Sequence, residues 1–133
     1  MKLKTILFSL LTVSALTACE DLFEDGSMQP DGSTPSVTVH APSNNQSVVA
    51  SQGMQLDVTI VDKDLVKELD VTVKGENAES ALMNFKRYPA KNVVEVDTLL
   101  SFTGVAPGAY TLYIKATDRR TNVEQQEIKF TVK

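Results

Sequence analysis

From Ser36 onward, apolar residues recur at every second position rather than every third or fourth, which is the period of a strand with one buried face. Met54, Leu56, Val58 and Ile60 alternate with Gln55, Asp57 and Thr59. Leu69, Val71 and Val73 alternate with Glu68, Asp70, Thr72 and Lys74. Tyr110, Leu112, Ile114 and Ala116 face one way with Thr111, Tyr113 and Lys115 opposed, and Ile128, Phe130 and Val132 close the chain against Lys129 and Thr131. Val37–Ala41 and Val93–Phe102 are weaker runs set between turn signals such as Pro42-Ser43-Asn44-Asn45 and Pro107-Gly108. The pattern predicts strands over 36–41, 47–50, 54–62, 65–74, 93–103, 109–117 and 122–132.

Only Gly75 to Asn92 breaks this period. Ala78, Ala81, Leu82 and Phe85 follow i, i+3, i+4, i+7 spacing, with Asn77 placed to cap and Glu79 in the first turn. Pro89 limits the segment, because the residue before a proline is pushed out of helical angles. A short helix in this crossover is the expectation. The competing reading is a strand with Met83 and Phe85 turned inward.

About seven short strands in some 98 residues, with turns at fairly regular spacing, suggest an all-β, immunoglobulin-like antiparallel sandwich. Pro107-Gly108-Ala109-Tyr110 opens the penultimate strand, and a tyrosine there can bond its hydroxyl back across the corner, as in a tyrosine corner. The stretch from Pro107 to Asp118 is similar to the penultimate strand of bacterial Ig-like domains, which often read PG-x-Y-x-L-x-V-x-A-x-D followed by x-x-G-N. Asp118 and Asn122 match that pattern, while Arg119-Arg120-Thr121 stands where the family often has a glycine. The resemblance covers 107–132 well and 36–133 loosely.

The first nineteen residues differ in kind. Met1-Lys2-Leu3-Lys4 is a basic start, and Ile6 to Ala18 is an apolar run of 13 residues broken only by Ser and Thr. A membrane-spanning helix needs roughly 20 residues, so this segment reads as a secretory signal peptide. Leu16-Thr17-Ala18-Cys19 resembles a bacterial lipobox. That resemblance implies cleavage before Cys19, acylation of its thiol (palmitate or a similar chain) and usually acylation of the new amino terminus. Several acyl chains anchor stably where one anchors marginally. Glu20-Asp21-Leu22-Phe23-Glu24-Asp25 resembles the acidic export signal that places lipoproteins of Bacteroidota on the outer face of the outer membrane. The whole layout resembles small Ig-like lipoproteins of gut Bacteroidota, a family without an assigned activity. Gly26 to Pro35 is rich in Gly, Ser, Pro and Asp and reads as a flexible spacer, and the whole tether of about 17 residues has an r.m.s. reach on the order of 20 Å. The organisation expected is therefore signal peptide 1–18, lipidated Cys19 with an acidic tether to residue 35, and a sandwich over 36–133.

Composition narrows the function. The 133 residues fit one domain of ordinary size, which excludes a multidomain enzyme. Thirteen basic and 17 acidic residues give a formal charge of −4, and loss of Lys2 and Lys4 with the signal peptide makes it −6. That balance argues against a nucleic-acid partner. One Cys and one His supply neither an internal disulfide nor a Cys/His zinc cage. His40 lies on the outer face of the first strand, and no G-x-S-x-G elbow, phosphate loop or H-E-x-x-H accompanies it, so no catalytic residues are assigned and the chain reads as a non-enzyme.

Two constellations remain. Asp62 and Asp64 end the third predicted strand while Asp118 and Asn122 occupy the last turn, and an Ig-like sandwich brings those loops to one end. Their oxygens are a candidate calcium set, and turn-amide bonding with neutralisation by Arg119 or Arg120 is the alternative. Phe85, Lys86, Arg87, Tyr88 and Lys91 place two aromatics among three cations in an acidic domain, a candidate surface for an envelope-protein or acidic-glycan partner. The expected function is a lipid-anchored, non-catalytic binding or accessory module on the outer-membrane surface. The alternative is a structural spacer or envelope-assembly subunit facing the periplasm.

Overall fold

The long central strand organises everything else. In the computed structural model, which describes residues 30–133, Met54–Gly75 is one continuous strand, β3. Around it run β1 (Ser36–Ala41), β2 (Gln46–Val48), β4 (Met83–Arg87), β5 (Lys91–Leu100), β6 (Gly108–Asp118) and β7 (Val123–Val132). The expected signal peptide, Cys19, the acidic run and most of the expected tether lie outside the described residues.

β3 serves two layers. Its first half pairs antiparallel with β1 on one side and β5 on the other, as in Thr59↔Thr38 and Thr59↔Glu95. Its second half pairs with β4 and β6, as in Val71↔Phe85 and Val71↔Ile114. β7 extends the second layer antiparallel to β6, and β2 joins the far edge parallel to β7. Between the halves the chain turns a corner at residues 62–65, where Leu65 takes a left-handed φ of 74° and the ladder to β5 breaks between Val61 and Val66; the ladder to β6 shifts just beyond, between Val66 and Glu68. The buried positions change parity at that second shift: Met54, Leu56, Val58, Ile60 and Val66 precede it, and Leu69, Val71 and Val73 follow it. This parity change lets each half point its apolar side at the other layer.

The core lies between these layers. Leu56, Ile60 and Val96 of one meet Leu112, Ile114 and Phe130 of the other in a single buried cluster. Phe102 fills one end, edge-on to Phe130 at 5.4 Å between ring centroids. The protein is an immunoglobulin-like β-sandwich. Each predicted strand appears within a few residues of its expected bounds, with the third and fourth fused into β3.

The expected crossover helix is absent among the described residues. Residues 76–82 are turns, Asn77 has a left-handed φ of 62° rather than a capping geometry, and Met83–Arg87 is strand. Eight residues are too few to overcome the cost of helix nucleation, whereas the open edge of β3 offers backbone partners directly. Met83 and Phe85 then fall opposite Val73 and Val71 and pack on the core, as the competing reading expects.

Candidate functional site

The corner of β3 and the β6–β7 turn converge at one end of the sandwich, as Ig-like topology requires. Asp118 is fully buried at the end of β6, and Asn122 is 5% exposed at the start of the return. The Asn122 amide nitrogen donates to Asp118 Oδ1 at 2.9 Å and its side-chain Nδ2 donates to Asp118 Oδ2 at 2.9 Å. The Asp118 amide donates back to the Asn122 carbonyl at 3.0 Å. A buried carboxylate is tolerable only with such compensation.

Asp62 behaves differently. Its Oδ1 accepts the Asp64 amide at 2.6 Å, closing an Asx turn that helps the chain round the corner. Burial pushes its pKa above the usual carboxylate value, against the lowering effect of that amide. Asn92 braces the same corner by donating to the Asp62 and Lys63 carbonyls at 2.9 and 3.0 Å.

The third acidic member, Asp31, comes from the segment that precedes β1. Asp31, Asp64 and Asp118 each bring a carboxylate oxygen within 4.8 Å of the others. Asp31 Oδ1 accepts from Asn122 Nδ2 at 2.7 Å and from the Ser33 amide at 3.1 Å, while the Gly32 amide donates to Asn122 Oδ1 at 3.2 Å. Lys63 Nζ lies 3.0 Å from Asp31 Oδ2, and Arg120 Nε lies 3.8 Å from it. The Lys63 contact, then the Ser33 amide, hold the Asp31 carboxyl down at a pKa of about 2; Asp31 in turn raises that of Lys63. Asp64 Oδ2 is shielded from solvent and accepts no hydrogen bond among the described residues; Arg120 Nε, 3.4 Å away, supplies its countercharge.

Of the four residues expected to converge, Asp64, Asp118 and Asn122 meet, and Asp62 serves its own turn. Three carboxylate oxygens at this spacing are the kind of set that holds a hard cation. Here Lys63 and Arg120 already stand against them, so the arrangement acts as a clamp on residues 31–33. Sequence reasoning missed Asp31 and Lys63. The Asp-Gly-Ser turn at 31–33 was the one local signal for the first, and nothing local marked the second.

The crossover surface is only partly as expected. Lys86 reaches back to Glu68 at 3.5 Å and Asp70 at 3.6 Å, and Glu68 above all raises its pKa. Phe85 packs on the core with the Arg87 guanidinium 5.6 Å above its ring. Tyr88, 67% exposed, and Val93, 51% exposed, are left open around a hollow of about 540 Å³ that Arg87 and Lys91 also line. His40 is exposed, with Nε2 3.1 Å from Thr59 Oγ1.

Solved structures share the fold. The chain resembles wild-type OgpA from Akkermansia muciniphila at a TM-score of 0.58 and 16% identity, covering 86% of this chain and 33% of that one. A catalytically inactive OgpA in complex with an O-glycopeptide substrate matches at 0.55 and 14% identity, over 77% of this chain and 30% of OgpA. Fibronectin(III)-like modules of CbhA from Clostridium thermocellum match at 0.48 and 17% identity, over 73% and 94%. The chain thus spans about a third of OgpA's length, and at these identities the likeness is one of fold. No protein-family model and no curated protein matches the chain.

Proposed function

We propose that this chain is a lipid-anchored envelope protein whose Ig-like domain is a non-catalytic binding or accessory module displayed on the outer-membrane surface. The observation that carries this reading is the sequence Leu16-Thr17-Ala18-Cys19, which sets the sole cysteine at the end of a short apolar run and ahead of a single sandwich. Acyl chains on Cys19 hold the protein in the leaflet. The acidic run Glu20–Asp25 directs it outward.

The clamp at Asp31 shortens the effective tether to the twelve residues after Cys19, a reach of at most roughly 40 Å. The end of the sandwich that carries Asp118 and Asn122 then faces the membrane, and partners approach the sides and the opposite end. The open aromatic–cation surface around Tyr88 and Lys91 is suited to an envelope-protein partner.

Metabolic labelling with a palmitate analogue, followed by protease shaving of intact cells, tests this. Label lost in Cys19→Ala, and the domain cleaved while a periplasmic control stays intact, are the expected results. Label independent of Cys19 overturns the anchor. Protection on intact cells with cleavage after lysis overturns surface display and favours the periplasm-facing spacer.

A further inference from the structure

The outward face of the β3–β6–β7 layer carries an arrangement that the clamp and the crossover do not use. Cross-strand register places its side chains in three rows. Lys74, Thr111 and Lys129 form the first, Thr72, Tyr113 and Glu127 the second, and Asp70, Lys115 and Gln125 the third. Neighbours within a row stand about 5 Å apart, and successive rows about 7 Å apart. The half-buried Tyr113 ring is therefore flanked by Lys74 and Lys129 on one side and by Lys115 on the other.

Two hollows, of about 490 and 360 Å³, open on this face and share Lys74 and Tyr113, so they form one trough. It runs toward the end of the sandwich remote from Asp31, where Asn45, Glu76, Asn77 and Thr131 line it. None of the three lysines forms an ion pair among the described residues. Asp70 is committed elsewhere, to Lys86 at 3.6 Å, Asn84 at 2.6 Å and Thr72 at 3.0 Å, and Glu127 takes an amide from Gln125 at 3.4 Å. Three lysines without an ion pair among the described residues surround one aromatic ring, with Glu76 and Glu127 as the carboxylates not already held by a cation, on a chain of net charge −4.

We propose that this trough binds an anionic glycan, an oligosaccharide bearing carboxylate or sulfate groups. Tyr113 offers a flat apolar surface to the C–H face of a sugar ring. Lys74, Lys115 and Lys129 pair with the acidic substituents, and Thr111, Gln125 and Glu127 exchange hydrogen bonds with hydroxyls. The trough has a polar floor, which suits a saccharide better than a peptide that needs apolar side-chain pockets. This assignment rests on the binding-module reading and names its ligand class.

The test uses the full chain purified in detergent, with fluorescent probes read by anisotropy. The probes are a heparin-derived octasaccharide, an oligogalacturonate octamer, a neutral malto-octaose and a glutamate octapeptide. At least one acidic saccharide binds, with the neutral sugar and the peptide at least tenfold weaker. Lys74→Gln/Lys115→Gln/Lys129→Gln lowers that affinity at least tenfold and Tyr113→Ala at least fivefold, with unfolding midpoints close to wild type. Lys67→Gln, an exposed cation outside the trough and the crossover, leaves it unchanged. Absence of binding to both acidic saccharides, equal binding of the octapeptide, or indifference to the triple substitution overturns the proposal. Loss of binding in Tyr88→Ala/Lys91→Gln would instead move the ligand to the crossover. Shaving and labelling report on the anchored-display reading separately, so either idea can fail alone.

Discussion

Asn122 reaches Asp31 across 91 positions of sequence, its Nδ2 donating to the Asp31 carboxylate at 2.7 Å while it also holds the buried Asp118 at 2.9 Å. One amide thus joins the hydrogen bonding of the last turn to the segment that enters the domain. Asn122→Ala removes both bonds and the Gly32 contact and leaves buried Asp118 short of a donor. A loss of about 2–3 kcal/mol is expected in urea unfolding. Asp31→Ala cuts only the outer part, so it should lower the unfolding midpoint less than Asn122→Ala does while limited proteolysis around residues 30–34 accelerates.

Acid should expose the same clamp. The Asp31 pKa is about 2 against an ordinary 3.8, so its contribution is fully present above 3.8 and is lost as pH falls toward 2. Asp62 runs the other way: with its pKa raised by burial, it favours the fold below 3.8, and that contribution disappears as pH rises through the raised value. Unfolding curves from pH 2 to 6 should therefore be flatter on the acid limb for Asp31→Asn than for wild type. A parallel limb would remove Asp31 from the account.

Thr121 sits at φ 64°, a left-handed conformation that a β-branched side chain resists, at the position where similar strands often carry glycine. The strain costs roughly 1–2 kcal/mol, and the greater unfolded-chain entropy of glycine returns part of it. Thr121→Gly should thus stabilise the domain by up to about 1 kcal/mol in thermal unfolding.

Tyr110 donates its hydroxyl to the Ala106 carbonyl at 2.7 Å and stacks on Phe130 at 5.9 Å. Tyr110→Phe keeps the ring and loses the bond, for an expected cost of about 1 kcal/mol; Tyr110→Ala loses both and should cost clearly more. Equal costs would make the corner bond irrelevant.

On the crossover, Tyr88→Ala should change stability by no more than about 0.5 kcal/mol, since the side chain is 67% exposed. Phe85→Ala should destabilise measurably, because that ring packs on the core beneath Arg87. Tyr88 is accordingly the residue with which to test partner binding, and denaturation of both variants checks the distinction.

What the sequence determined by itself was everything governed by local period and local turn chemistry. Alternation at 54–60, 69–73, 110–116 and 128–132 placed the core strands, because a half-buried strand must alternate. Pro107-Gly108-Ala109-Tyr110 placed the tyrosine corner, and Asp62, Asp64, Asp118 and Asn122 pointed to one loop end. Only the tertiary structure decided between helix and strand at 78–87, since Ala78, Ala81, Leu82 and Phe85 satisfy one period while Met83 and Phe85 satisfy the other. The free edge of β3 broke the tie. It also decided that Asp31 joins Asn122, that Lys86 is spent on Glu68 and Asp70, and that Lys74, Tyr113 and Lys129 share a trough. Those facts depend on which strands pair and in what register, and cross-strand neighbours leave no periodic trace along the chain.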